Sequence, residues 1–386
     1  MNAEHTTFPM HGHCDPAFAR VRDVFAANFV DDVEVGASFC AVRDGRVVVD
    51  LWGGFRDREM RVPWTDDTLV NVYSTTKGIG AAVVAHVVGE GRLDYDAPVT
   101  RYWPQLVAAR DGLTVAQLLS HLGGLCGLRR SVGVADLYDW QKMIGWLETE
   151  PPHWIPGTAA GYHAVTWGYL AGELVRRTTG KTLGTVLRER LAAPLDADVH
   201  VGLADEDMSR VADVIGPNHA RRQPLAGTPP SMPALYPIAL MNPVIRPFKD
   251  VGTPVWRRAE IAASNGHATG KGLARLYAAL ACGGELGGVR IVDSDALNAA
   301  TREEWGLEPD LVLGRPMRRG RGFNLNTERQ YGPHAGTFGH SGAGGSYGFA
   351  DPAKRLGAGY AMNQMQPGLE ADTRGTRLIE ALYACL

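Results

Sequence analysis

The stretch "VNVYSTTKGIGAAVVAHVV", residues 70–88, sets a serine three residues before a lysine at the head of an apolar helical run. That spacing puts Ser74 and Lys77 on one helix face, with the amine one turn from the hydroxyl. Partial positive charge at the helix N-terminus stabilises a developing alkoxide and disfavours a nearby ammonium. Burial in an apolar lobe pushes a lysine toward its neutral, basic form. A serine beside a desolvated lysine is an activated-nucleophile arrangement. The same residues read equally well as an ordinary helix cap, Ser74 at the N-cap and the lysine exposed. With ten serines and six lysines in the chain, chance pairing is not negligible, so the context has to decide.

At 386 residues the chain is long enough for two or three lobes, and 45% hydrophobic against 21% charged residues is the balance of a globular protein. A formal net charge of −3 offers no electrostatic reason for a nucleic-acid or anionic-membrane partner. The one basic run, Arg315 to Arg321, reads as a solvated loop. Five widely spaced cysteines without a CxxC argue against a disulfide framework and for a reducing compartment. The N-terminus, "MNAEHTTFPMHGHCDP", shows no basic region followed by an apolar run, and no segment carries eighteen uninterrupted apolar residues. The expected location is cytoplasmic. "HGHC" at 11–14 reads as a terminal tail rather than a metal site. Nothing in the sequence specifies an oligomeric state.

Asp15-Pro16 reads as an N-cap and a first-turn proline, after which Phe18, Val21, Phe25 and Phe29 recur at helical steps. Residues 35–42 and 47–52 flank Arg43-Asp-Gly-Arg46, a hairpin signal. Thr114 and Gln117 form a capping box, and 165–179 is a helix ended by Gly180. Nine prolines between 217 and 254 rule out regular helix or central strand there and predict a long ordered loop. A helix is expected at about 270–281. Strands at 345–350 and 356–363 should pair across Asp351-Pro352, and a last helix should run to Leu386. Strands at both ends and helices between them predict an α/β domain from 1–73 with 255–386, and a mostly helical domain over 74–254.

Two further stretches bear on Ser74. In "HWIPGTAAGYHAVTWGYLAGEL", residues 153–174, Tyr162 follows a Pro-Gly turn just before a helix. Its hydroxyl there suits proton transfer for a Ser/Lys pair, although a packed aromatic fits as well. "GTFGHSGAGGSYGFADP", residues 336–352, is a glycine-rich approach to a strand, where a bare N–H at Ala343 suits an oxyanion donor. A tight turn explains those glycines equally well.

The ordered set resembles the serine β-lactamase and penicillin-binding-protein superfamily, and within it the class C-related esterases, the family VIII carboxylesterases. It runs from "LWGG" at 51–54 through S-T-T-K at 74–77, "LLSHLGGL" at 118–125, W-I-P-G at 154–157, Y-H-A at 162–164 and "NGHATGKGLARLY" at 265–277 to H-S-G at 340–342. The resemblance implies a serine β-lactamase-like α/β fold: an antiparallel sheet flanked by helices, plus a mostly helical lobe. It implies Ser74 as acylated nucleophile, Lys77 helping to take its proton, and Tyr162 as general base and then acid. The N–H groups of Ser74 and Ala343 would form the oxyanion hole, with His340 and Gly342 lining the pocket. The implied activity is hydrolysis of small, short-acyl esters through an acyl-enzyme, with no cofactor or metal. Amide or β-lactam hydrolysis, acyl transfer and a non-catalytic sensor remain as alternatives.

Two positions depart from the β-lactamase pattern: Ala164 stands where Tyr-x-Asn has Asn, and His340 where the third motif has Lys. A site lacking both groups should discriminate poorly in favour of β-lactams. Gly344-Gly-Ser-Tyr-Gly348 fits a G-x-S-x-G elbow, but no histidine follows Ser346 as that arrangement requires. His121 and His267 read as mainly structural, and Asn265 and Asn363 as loop or strand-edge contacts.

Overall fold

The computed structural model describes residues 8–30, 33–216, 232–306, 308–368 and 372–386. Its centre is a seven-stranded antiparallel sheet in the order 10–14, 46–54, 36–43, 356–362, 347–351, 338–341 and 324–325. Both ends of the chain therefore build one sheet, joined where Leu356–Met362 pairs with Gly36–Arg43. The hairpin at 43–46 closes through Asp44 and Gly45 at φ 49° and 78°, the left-handed pair whose twist matches the flanking strands. Tyr347–Asp351 pairs with Leu356–Met362 across the turn at Pro352, also as the sequence predicts.

Both faces are covered, which is why the central strands are buried along nearly their whole length. Leu356, Ala358 and Tyr360 alternate toward one face, where Phe18, Val21, Phe25 and Phe29 meet Leu378, Ile379 and Leu382 of the C-terminal helix Thr373–Tyr383. The intervening Gly357 and Gly359 face the helix Gly270–Ala281. A Cβ on Gly357 would stand 2.1 Å from Ala278 N, so the strand stays bare to let the helix backbone lie directly on it. Beyond that helix lies the larger apolar core, built on Thr75–Gly89 and Thr166–Thr179, the latter ended by Gly180 at φ 76°. The short strands Val70–Asn71, His267–Ala268 and Val199–His200 form a small second sheet beside it. No described helix is long and apolar enough to cross a membrane.

Three local expectations need correction. Residues 11–14 are not a loose tail: Met10–Cys14 is an edge strand paired with Arg46–Gly54. Asp15 holds the cap position, but its carboxylate bonds Arg46 and His13 rather than the helix N–H groups. The described part of the proline-rich stretch does contain helix, at Tyr236–Leu240 and Pro254–Arg258, with Pro237 and Pro254 in first turns that need no N–H donor. Residues 217–231 of that stretch lie outside the described residues, as do residues 1–7 of the N-terminal segment.

Gly357→Val tests the close approach of helix to sheet. Overpacking there should cost about 1–3 kcal/mol, read as a lower urea midpoint at unchanged slope.

Candidate active site

The strand Val70–Asn71 leads into Tyr73, whose φ of 45° lies in the left-handed region. For an aromatic residue this costs on the order of 1–3 kcal/mol and persists only where the surroundings impose it. They do: the Thr76 N–H (2.9 Å) and hydroxyl both donate to Tyr73 O, and Gly266 N donates to Thr76 Oγ1 at 2.9 Å. The kink ends the strand and starts the helix Thr75–Gly89, leaving Ser74 at the corner. Its side chain makes no capping bond. Instead Tyr162 O–H donates to Ser74 Oγ at 2.7 Å, and Lys77 Nζ lies 3.3 Å away. Ser74 thus holds the N-cap position without capping, and Lys77 is fully buried, so the exposed-lysine half of the ordinary-cap reading fails.

Lys77 Nζ also contacts Ala164 O at 2.7 Å and Ala263 O at 3.0 Å. Burial first, and the Arg319 cation second, push its pKa well below that of an ordinary lysine. A carbonyl can only accept. A neutral amine thus spends its two hydrogens on the two carbonyls and turns its lone pair toward Ser74. Asn265 shapes the turn that offers Ala263 O: it accepts from Ile261 N at 2.8 Å and donates to Trp256 O at 2.8 Å and Ala259 O at 2.6 Å.

Tyr162 is held through its backbone, whose N–H donates to Asp310 Oδ1 at 3.0 Å. His121 packs on its ring at 5.1 Å between centroids, and Lys77 Nζ lies 4.7 Å from the ring centre. His121 Nδ1 accepts from His163 N at 3.0 Å. His163 in turn donates from Nδ1 to Gly161 O at 2.6 Å and accepts from Leu125 N at 3.0 Å. Burial holds the His163 pKa down to about 3, so this histidine is a neutral brace. His267 lies in the small second sheet and is likewise held near 3 by burial.

Sequence reasoning missed Asp310 and misjudged Arg319. The run Arg315–Arg321 is no solvated loop: Arg319 and Arg321 are 1% and 2% exposed. Arg319 Nη2 meets Asp310 Oδ2 at 2.6 Å, Nη1 donates to Asn324 Oδ1 at 3.0 Å, and its guanidinium lies 5.5 Å from the Tyr162 ring centre. The other Asp310 oxygen takes the N–H groups of Tyr162, Val312 and Leu313. No spacing marks Arg319 off from the arginines beside it; only an aspartate nine positions earlier could have hinted at a partner.

Across from the helix, Phe338–Ser341 brings His340 to the site, its ring 6.3 Å from that of Tyr162. His340 Nδ1 donates to Ser341 O at 2.8 Å, and burial, then Lys77, push its pKa well below the usual histidine value. Its Nε2 has no partner among the described residues. Neither the Ser74 nor the Ala343 N–H has an acceptor at hydrogen-bond distance and angle among the described residues. Gly342 is required for closeness to protein rather than to a ligand: a Cβ there would stand 2.2 Å from Val72 O. Ser346 Oγ is buried, 2.9 Å from Val72 O and 3.0 Å from Thr75 Oγ1. A small cavity beside Tyr162 is lined by Leu313, Met317, Arg319 and His340. A larger one against the C-terminal helix, lined by Arg329, Gln330 and Tyr383, contains none of these groups, so chemistry rather than volume locates the site.

The β-lactamase family profile matches residues 25–383. The chain belongs to the β-lactamase family, in its family VIII carboxylesterase branch. The crystal structure of a family VIII carboxylesterase superimposes with a TM-score of 0.92 at 47% identity, over 98% of this chain and 100% of that one. A penicillin-binding-protein homologue from Caulobacter crescentus gives 0.87 at 42% identity, over 98% of this chain and 100% of the homologue. The esterase/β-lactamase LipL of Mycobacterium tuberculosis is 36% identical over 354 residues, which is 88% of this chain and 80% of LipL.

Asp310→Ala would leave Arg319 charged and unpaired in the interior, at a cost of about 3–5 kcal/mol. Urea unfolding should show the loss, and replacing Glu303, whose ion pair with Arg318 is exposed, should cost below about 1 kcal/mol.

Proposed function

We propose that this protein is a carboxylic ester hydrolase that cleaves small, short-acyl esters through an acyl-enzyme on Ser74. The observation that carries the reading is the Ser74 hydroxyl held between Tyr162 O–H at 2.7 Å and Lys77 Nζ at 3.3 Å, with the amine's other contacts both carbonyls. As Ser74 Oγ attacks the ester carbonyl, its proton passes into the Lys77–Tyr162 pair. The Arg319 guanidinium near the Tyr162 ring stabilises negative charge on the phenol oxygen. The carbonyl oxygen becomes an oxyanion between the Ser74 and Ala343 N–H groups. Tyr162 then gives a proton to the departing alkoxide, and the alcohol leaves. A water deprotonated by the same pair attacks the acyl carbon, releasing the acid and restoring the Ser74 hydroxyl.

Ester rather than β-lactam specificity is supported by the side chains that stand in the two departing motifs and by the pairing of Arg319. Ala164 offers no side-chain amide, His340 is uncharged, and Arg319 is occupied by Asp310. The double designation of LipL favours β-lactam hydrolysis as a second reading. Rates on nitrocefin and p-nitrophenyl butyrate decide between them, with the ester expected to be far the better substrate.

Ser74→Ala should lower kcat by about 10⁴-fold or more and abolish a single fluorophosphonate label seen by intact mass. Tyr162→Phe should lower it about 10²–10⁴-fold. Undiminished turnover in Ser74→Ala overturns the proposal. Because the base form of Lys77 is the active one, kcat/KM should rise with pH and level off well below 10.5. A rise that continues through 10.5 would mean that the lysine is an ordinary one. Turnover of p-nitrophenyl esters should fall as the acyl chain lengthens beyond butyrate.

A further inference from the structure

The two N–H groups of the proposed oxyanion hole come from remote parts of the chain, the corner at Ser74 and the turn after Ser341. Both must reach one oxygen within about 2.7–3.1 Å, so their separation has to be fixed to a fraction of an ångström. The side chain that joins the two segments is Ser346. Val72 O can only accept, so the single Ser346 proton goes to it at 2.9 Å. The Thr75 hydroxyl, 3.0 Å away, is then the donor to Ser346 Oγ. One hydroxyl thus grips the residues on both sides of Ser74.

Its backbone carries the grip into the other segment. Gly342 N donates to Ser346 O at 2.7 Å, and Gly345 N to Gly342 O at 3.1 Å, closing the turn around Ala343. From the far side Arg374 Nη2 donates to Gly344 O at 2.8 Å, its charge balanced by Glu34 and Asp372. Ser346, Thr75 and Arg374 are all buried, so water does not compete for these bonds.

We propose that Ser346 is a positioning residue that sets the spacing of the two oxyanion donors through its paired bonds to Val72 and Thr75. This rests on the acyl-enzyme reading above. It explains a serine in a glycine-rich elbow sequence that lacks the histidine needed to make it a nucleophile.

Ser346→Ala and Thr75→Val break the same link from its two ends. Each should lower kcat on p-nitrophenyl butyrate about 10–100-fold with KM within about twofold of wild type. The Ki of a trifluoromethyl ketone, whose adduct places an oxyanion in the hole, should rise in parallel. The double variant should cost little more than the worse single one, because both remove one interaction. Unchanged kcat and Ki in folded Ser346→Ala, or fully additive losses, overturn the proposal. If Ser346→Ala does not fold, Thr75→Val carries the test alone, by the same kcat and Ki criteria. Failure of the underlying reading looks different: wild type would then carry no fluorophosphonate label on Ser74, whatever the variants do.

Discussion

A lysine amine sealed in a dry interior between two carbonyls is the constraint on which the site depends. The cost of burying Lys77 as an ammonium favours the neutral form, and the carbonyls of Ala164 and Ala263 settle which way its lone pair turns. Those carbonyls come from two segments that must be fixed independently. Ala164 follows Tyr162, which Asp310 anchors, and Ala263 lies in the turn knitted by Asn265. Burial thus disfavours the charged amine, and the surrounding loops fix its direction.

Charge is treated differently one layer out. Arg319 is as buried as Lys77 but keeps a partner, Asp310, whose other oxygen collects three backbone N–H groups. The pair turns its guanidinium end toward the Tyr162 ring, 5.5 Å from the ring centre, while the aspartate balances its charge. The histidines around it, His121, His163 and His340, are kept neutral by burial and serve as walls of defined shape.

Much of this was legible in the sequence. Strong local signals held: the Asp44-Gly45 hairpin, the Phe18–Phe29 periodicity, the Gly180 stop and the strand pair across Pro352. The Ser74–Lys77 spacing became decisive only beside Tyr162, because a three-residue step has two physical meanings until burial is known. The rest was hidden for a shared reason. Arg319 with Asp310, the strand at 10–14 and the bonds of Ser346 are set by partners distant in space, and residue type alone does not report a partner. Proline density misled in the opposite sense, since Pro237 and Pro254 begin short helices instead of forbidding them.

The pairing of Leu356–Met362 with Gly36–Arg43 has a consequence for biogenesis. As the chain emerges from the ribosome, the first three strands can form early, but the Gly36–Arg43 edge stays open until Leu356–Met362 has been made. Such long-range pairing is slow, and an open edge invites association with other chains. Ser74, Lys77 and Tyr162 are made long before the turn bearing Ala343 and Ser346 arrives. A nascent chain thus carries these three side chains without the segment that grips Val72 and Thr75 from the other side.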